Sequence, residues 1–132
     1  MIAQVFAADN EIFVDQSGTG ANIDLEQLGI SNIIGGLSSS AGSLTAFDLD
    51  GTSMTLDVNM IGATNKFLGD IWSDSFTGLY NFTGSTNSFT IQVDPTNTYS
   101  SDSSDHNIAV TGAGNTFTLN QGTSALSTSL NL

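Results

Sequence analysis

The chain contains no cysteine, which excludes a disulfide framework and any thiolate metal site. It has no arginine and a single lysine, Lys66, against 13 acids, for a formal charge of -12. A protein that binds nucleic acid through phosphate contacts needs basic side chains, so that class is excluded and no nucleic-acid partner is expected. No apolar run approaches the roughly 18 residues that a membrane helix requires, so no membrane partner is expected either. The opening MIAQVFAADNEIF lacks a basic segment followed by a long apolar one, and reads as no signal peptide. Proline occurs once, at Pro95.

What remains is rich in Gly, Ser, Thr, Asn and Asp. Only 11% of the residues are charged and 39% are hydrophobic, which separates the chain from a disordered acidic tail. Helix formers are scarce and turn formers and β-branched residues are common, so an all-β fold is expected. The stretch GSTNSFTIQV, residues 84–93, places Asn87, Phe89, Ile91 and Val93 on every second position. That alternation is a strand with one buried face. The same phrase recurs as GATNKFLGDI from Gly62 and as GAGNTFTLNQ from Gly112, so the chain is read as a repeat.

Set out in rows of 11 residues, the chain gives eleven strand-like rows with four inward positions each. A six-residue shift falls in the polar segment 94–106, read as a loop insertion in a single domain spanning 1–132. Of the 44 inward positions 27 are apolar and none is charged, although they make up a third of the sequence. Burying an unpaired charge costs far more than burying an amide, so this column is the inside. Small residues, among them Gly18, Gly51, Gly62, Gly84 and Gly112, recur where each row begins and the chain must turn.

A strand and a short turn, repeated, predict a β-solenoid: a parallel β-helix with two strands per 22-residue coil and about five coils. Stacking at about 4.8 Å per coil gives a stub of about 26 Å and lines up like residues. One inward column then carries Asn10, Asn32, Asn65, Asn87 and Asn115, and a second carries Phe67, Phe89 and Phe117. A buried asparagine alone is destabilising, whereas a ladder of them passes hydrogen bonds from coil to coil. Stacked phenylalanines add packing.

The phrases Gln16-x-Gly18 and Gln27-x-Gly29-x-x-Asn32 resemble the curlin repeat of bacterial curli fibres. That resemblance implies a coil of about 22 residues with inward Asn and Gln ladders. In later rows Met60, Phe82 and Val110 stand where the glutamine would be. The segments IDLEQLGISNIIGG (from Ile23) and LDVNMIGATNKFLGD (from Leu56) are similar to Gly/Asn-rich virion structural proteins of marine phages, chiefly cyanophages. This second resemblance implies a head decoration, fibre or spike component.

Candidate sites are few. His106 is the only histidine, beside Asp102 and Asp105, and stands at an inward position of the ninth row; a loop or strand-start histidine is the simpler reading than a Ser-His-Asp arrangement. Asp48, Asp50 and Asp57 in DLDGTSMTLD are weak calcium candidates whose spacing does not fit an EF-hand loop. Trp72 occupies an outward position and reads as a contact residue or one covered by a neighbour. Asn81 begins a glycosylation sequon, which matters only on a secretory route. No catalytic residue and no cofactor are expected.

The resulting expectation is a non-enzymatic structural protein of a phage virion, located in the virion, whose partner is a second copy or another virion protein. Neither end of the chain carries an obvious polar capping row, so a neighbour is expected to cover at least one of them. A curli-like extracellular fibre subunit is the alternative. A carbohydrate-binding module is a third reading of less weight.

Overall fold

Twelve short strands alternate between two parallel sheets in a computed structural model that describes residues 11–35, 47–93, 103–121 and 129–131. The first sheet contains β1 (Glu11–Ile12), β2 (Asp15–Thr19), β4 (Asn32–Ile34), β5 (Asp48–Thr52), β7 (Thr64–Asp74), β9 (Thr86–Val93) and β11 (Thr116–Gln121). The second contains β3 (Asn22–Gly29), β6 (Thr55–Gly62), β8 (Thr77–Thr83), β10 (Asp105–Thr111) and β12 (Ser129–Asn131). All ten pairings are parallel. The protein is all-β, with no helix among the described residues.

Period-two alternation builds the interior between the sheets. In β8 the burial runs exposed, buried, exposed from Thr77 to Thr83, and Gly78, Tyr80 and Phe82 are the residues that point in. β9 does the same with Asn87, Phe89, Ile91 and Val93. Rings from the two sheets meet in the middle. Phe67 of β7 lies 5.3 Å from Tyr80 of β8, and Phe89 of β9 lies 5.5 Å from Phe82 of β8. Tyr80, Phe67, Phe82 and Phe89 are all at most 2% exposed. Fully burying side chains of this kind contributes about 1.5–3 kcal/mol each.

The spacing departs from a strict 22 in one informative place. Across successive members of the asparagine column, the steps are 33, then 22, then 28 residues. The step of 28 is the 22-residue repeat plus the six-residue insertion. The step of 33 arises because two sequence rows share one tier. β4 pairs with the first part of β7 and β5 with its last part, so the long β7 spans both. Above them β1 and β2 form a similarly broken line, with Gly35 and Asp48 donating to the carbonyls of Ile12 and Val14. Eleven rows therefore yield ten strand positions, stacked in five tiers.

The apolar row Met54–Met60 lies in the sheet opposite β4, paired with β3 and β8 rather than with β4. The inward positions expected at Gly36, Ser38, Ser43 and Thr45 lie outside the described residues. A further correction concerns the polar segment 94–106. Its last residues are not loop: Ser104 and His106 are buried, and β10 begins at Asp105.

The corners repeat with the tiers. Gly20, Ser53, Ser75 and Ser103 each turn the chain from the first sheet to the second, at φ of 72°, 58°, 55° and 60°. Three serines thus hold a left-handed conformation that costs an L-residue about 1–2 kcal/mol. On the opposite corner the approach is closer. A Cβ on Gly62, Gly84 or Gly112 would run into the carbonyl oxygen of the corner glycine in the preceding tier, so only glycine allows the strands to reach hydrogen-bonding distance there.

Candidate functional site

The repeated polar residues are gathered into two vertical columns, one inside the stack and one outside. The inner column is Asn32, Asn65 and Asn87, each at the start of a strand of the first sheet and in direct register with the next, followed by Asn115 just before β11. Asn32 Nδ2 donates to Asn65 Oδ1 at 3.0 Å, Asn65 Nδ2 to Asn87 Oδ1 at 2.8 Å, and Asn87 Nδ2 to Asn115 Oδ1 at 2.9 Å. The second hydrogen of each amide goes to a backbone carbonyl at the corner. Asn32 uses Ile61, Asn65 uses Thr83 and Asn87 uses Gly84. An amide both donates and accepts, so a column of them satisfies itself in a dry interior. Asn10 lies outside the described residues.

Two residues along the strands, Phe67, Phe89 and Phe117 form a parallel stack. The ring centroids are 5.2 and 4.9 Å apart and the planes differ by 11° and 6°. The column continues into Ile34 and Ile12 in the two tiers before them.

The outer column was not anticipated from the sequence. Asp15, Asp48 and Asp70 stand in direct register on β2, β5 and β7, followed by Gln92 on β9 and Asn120 on β11. Asp50 lies beside them in β5, in register with Trp72. A carboxylate accepts and cannot donate, so stacked carboxylates repel unless one holds a proton. Burial, then the neighbouring Asp50, Asp15 and Asp70, pushes the Asp48 carboxyl up to about 7. Burial and Asp15 raise Asp50 as well. Asp70 has no exposed surface although it sits on the outward side of its strand. The charge-free inward column therefore does not account for every buried position.

The three calcium candidates do not come together as a set. Asp48 and Asp50 belong to the first sheet, while Asp57 is on β6 in the second, in register with Asp24 and Leu79. Among the described residues no group of three or more metal-ligating side chains has the arrangement to hold an ion.

His106 is buried at the start of β10, the strand-start placement of the two readings open to it. Its ring is 13° from parallel to that of Tyr80 at 6.2 Å, and Nδ1 lies 3.5 Å from the tyrosine hydroxyl. Its Nε2 has no hydrogen-bond partner among the described residues. Burial lowers its pKa to about 4, with Asp105 acting weakly in the opposite direction, so the ring is neutral at physiological pH. Asp105 points outward and Asp102 lies outside the described residues, so no triad forms around this histidine. Trp72 is half-buried with its Nε1 enclosed, and Asn81 is exposed on β8.

No protein-family model, no curated protein and no solved structure matches the chain.

Proposed function

We propose that the chain is a non-enzymatic structural protein: a curlin-like β-solenoid of five coils that serves as a head decoration, fibre or spike component of a phage virion. It assembles by strand and ladder stacking with itself or with another virion protein. One observation carries the structural part of this reading. The polar side chain that recurs from tier to tier is an inward asparagine, and at the middle rungs Asn65 and Asn87 its donors and acceptor are occupied within the stack. Such a residue is committed to holding tiers together and is withheld from substrate. The virion assignment is supported by the Gly/Asn-rich segments from Ile23 and from Leu56.

A second reading, a curli-like extracellular fibre subunit, is favoured by the same ladders and by edge strands that, among the described residues, pair on one side only. Electron microscopy of native particles, decorated with an antibody against this chain, separates the two. The virion reading predicts label at fixed positions on phage particles. Label confined to extracellular fibres, with detergent-resistant, thioflavin-positive fibres from the pure protein, would replace it with the second. A carbohydrate-binding module would instead show glycan binding that is lost on removal of one carboxylate or of Trp72.

A further inference from the structure

Both ends of the described stack leave the interior partly open. Among the described residues β1, β2 and β3 pair on one side only, and so do β11 and β12. In the first tier Ile12, Val14, Ile23 and Leu25 point inward but are only partly buried. At the other end Phe117 and Leu119 of the last tier, and Val110 of β10 in the tier before it, are in the same condition. A groove of about 230 Å³ opens there, walled by Phe82, Phe89, Ile108, Val110 and Phe117, with Asn115 at its rim.

The amide column has a direction. Each Nδ2 hands one hydrogen to the asparagine of the following tier and the other to a corner carbonyl. Asn115 keeps the corner bond, to Gly112 at 3.2 Å, and has no acceptor for the other hydrogen among the described residues. The β11 end therefore presents a donor and an apolar groove, while the first tier presents an apolar rim of the same alternation. Phe117 and Leu119 sit at the inward positions that Ile12 and Val14 occupy at the other end.

We propose that the β11 and β12 end of one molecule receives the β1, β2 and β3 end of a second copy, head to tail, with Ile12 over Phe117 and Val14 over Leu119. The inference rests on the structural reading above and names the partner and the register of its join. Two columns fix that register independently. The apolar column Ile12, Ile34, Phe67, Phe89, Phe117 and the outer column Asp15, Asp48, Asp70, Gln92, Asn120 run through the same tiers. Continuing the first puts Ile12 of the next copy beside Phe117, and continuing the second puts Asp15 beside Asn120. Both describe one placement.

Charge selects the polarity. The first tier carries Glu11, Asp15, Asp24 and Glu26 without a base, whereas among residues 103–121 the only acid is Asp105. Head-to-tail contact sets Asp15 against Asn120 and Glu11 against Thr116. Head-to-head contact would set acid against acid and require antiparallel pairing, whereas every strand pair among the described residues is parallel.

The absence of native cysteine gives a direct test. Asp15→Cys and Asn120→Cys both fall at exposed outward positions on strands, and each single variant is purified and checked by circular dichroism against the parent. Within one molecule the two positions are four tiers apart, roughly 19 Å, beyond disulfide reach. Across the proposed join they are neighbours at about 4.8 Å, within it. An oxidised equimolar mixture of the two variants is expected to give, as the dominant product, a heterodimer with one disulfide joining position 15 of one chain to position 120 of the other. Thr118→Cys in place of Asn120→Cys moves the thiol to about 8 Å and is expected to lose most of that product.

Phe117→Lys, combined with Asn120→Cys, is expected to abolish the cross-link and to sediment as a monomer at unchanged secondary structure. Dominant self-linking of Asp15→Cys, equal yields from the two registers, or a parent protein that stays monomeric up to its solubility limit would each overturn the proposal. A monomer still found on native particles would leave the structural role standing and remove only the join between copies. Loss of the particle label alongside a specific disulfide between positions 15 and 120 would do the reverse.

Discussion

The inner asparagine column and the outer aspartate column share one geometry and have opposite energetics. Both stack like residues in register on neighbouring parallel strands. In the inner column Asn65 donates to Asn87 and accepts from Asn32, and each added rung completes the one before it. In the outer column each added carboxylate raises the cost of ionising its neighbour, and Asp48 is shifted up to about 7. The difference lies in the amide's ability to donate. Stacking alone stabilises nothing; it multiplies whatever one pair contributes.

Exchanging the chemistry of the columns breaks the comparison. Asn65→Asp removes the donations to Asn87 Oδ1 and the Thr83 carbonyl and sets a charge in a dry interior. It is expected to cost about 4 kcal/mol in denaturant unfolding at neutral pH, the range for an uncompensated buried charge. A loss under about 1 kcal/mol would mean the ladder is not holding the tiers.

The next effect is smaller and belongs to a buried ionisable group, the His106 ring. His106 has a folded pKa of about 4 against an ordinary 6.5. Between those values the unfolded chain binds the proton and the folded one does not, so stability is full above about pH 6.5 and declines as pH falls toward 4. The loss reaches about 3 kcal/mol. His106→Phe is expected to flatten that limb of a stability–pH curve, and an unchanged limb would contradict the burial of the ring.

Asp48 runs the other way. Its raised pKa makes it most favourable below about 4 and progressively unfavourable as pH rises through 7. Asp48→Asn converts one outer rung to an amide and is expected to raise the unfolding midpoint at pH 8 more than at pH 4. The effect stays below that of Asn65→Asp because the carboxylate is partly hydrated. Equal midpoints at both pH values would show that the outer column is not under repulsion. The smallest effect tests a corner, where neither column acts. Ser53→Gly at φ 58° relieves left-handed strain and is expected to gain about 0.5 kcal/mol after the entropy of glycine is set against it.

Much of this arrangement can be read from the chain because one face of every strand excludes charge. Phe67, Phe89 and Phe117 recur after the same Asn-x step, and simple addition of the insertion sets them in one column. The outer column escapes that reasoning. Lining up Asp15 with Asp48 requires knowing that the rows around Ile34 and Leu49 share a tier, and their small polar residues Gly36, Ser38, Ser43 and Thr45 carry no periodic signal of it. Asp57 is near Asp48 in sequence and misleads for the same reason, since a corner at Ser53 sends it to the other sheet. The left-handed serines are equally silent, because serine at positive φ has no compositional mark. The polar neighbours of His106 suggest a loop while the eleven-residue rows set it inward with Ile108, and the burial of alternate residues in β10 agrees with the rows.

Side-chain amide exchange measured by NMR reads directly whether the inward amides are bound from tier to tier. Asn65 and Asn87 use both hydrogens of Nδ2 within the stack, while Asn59 and Asn81 pair in register on the outward face of β6 and β8. The Asn65 and Asn87 side-chain amides are expected to exchange only on global unfolding and those of Asn59 and Asn81 at near-solvent rates. Equal, rapid exchange from all four would contradict that binding.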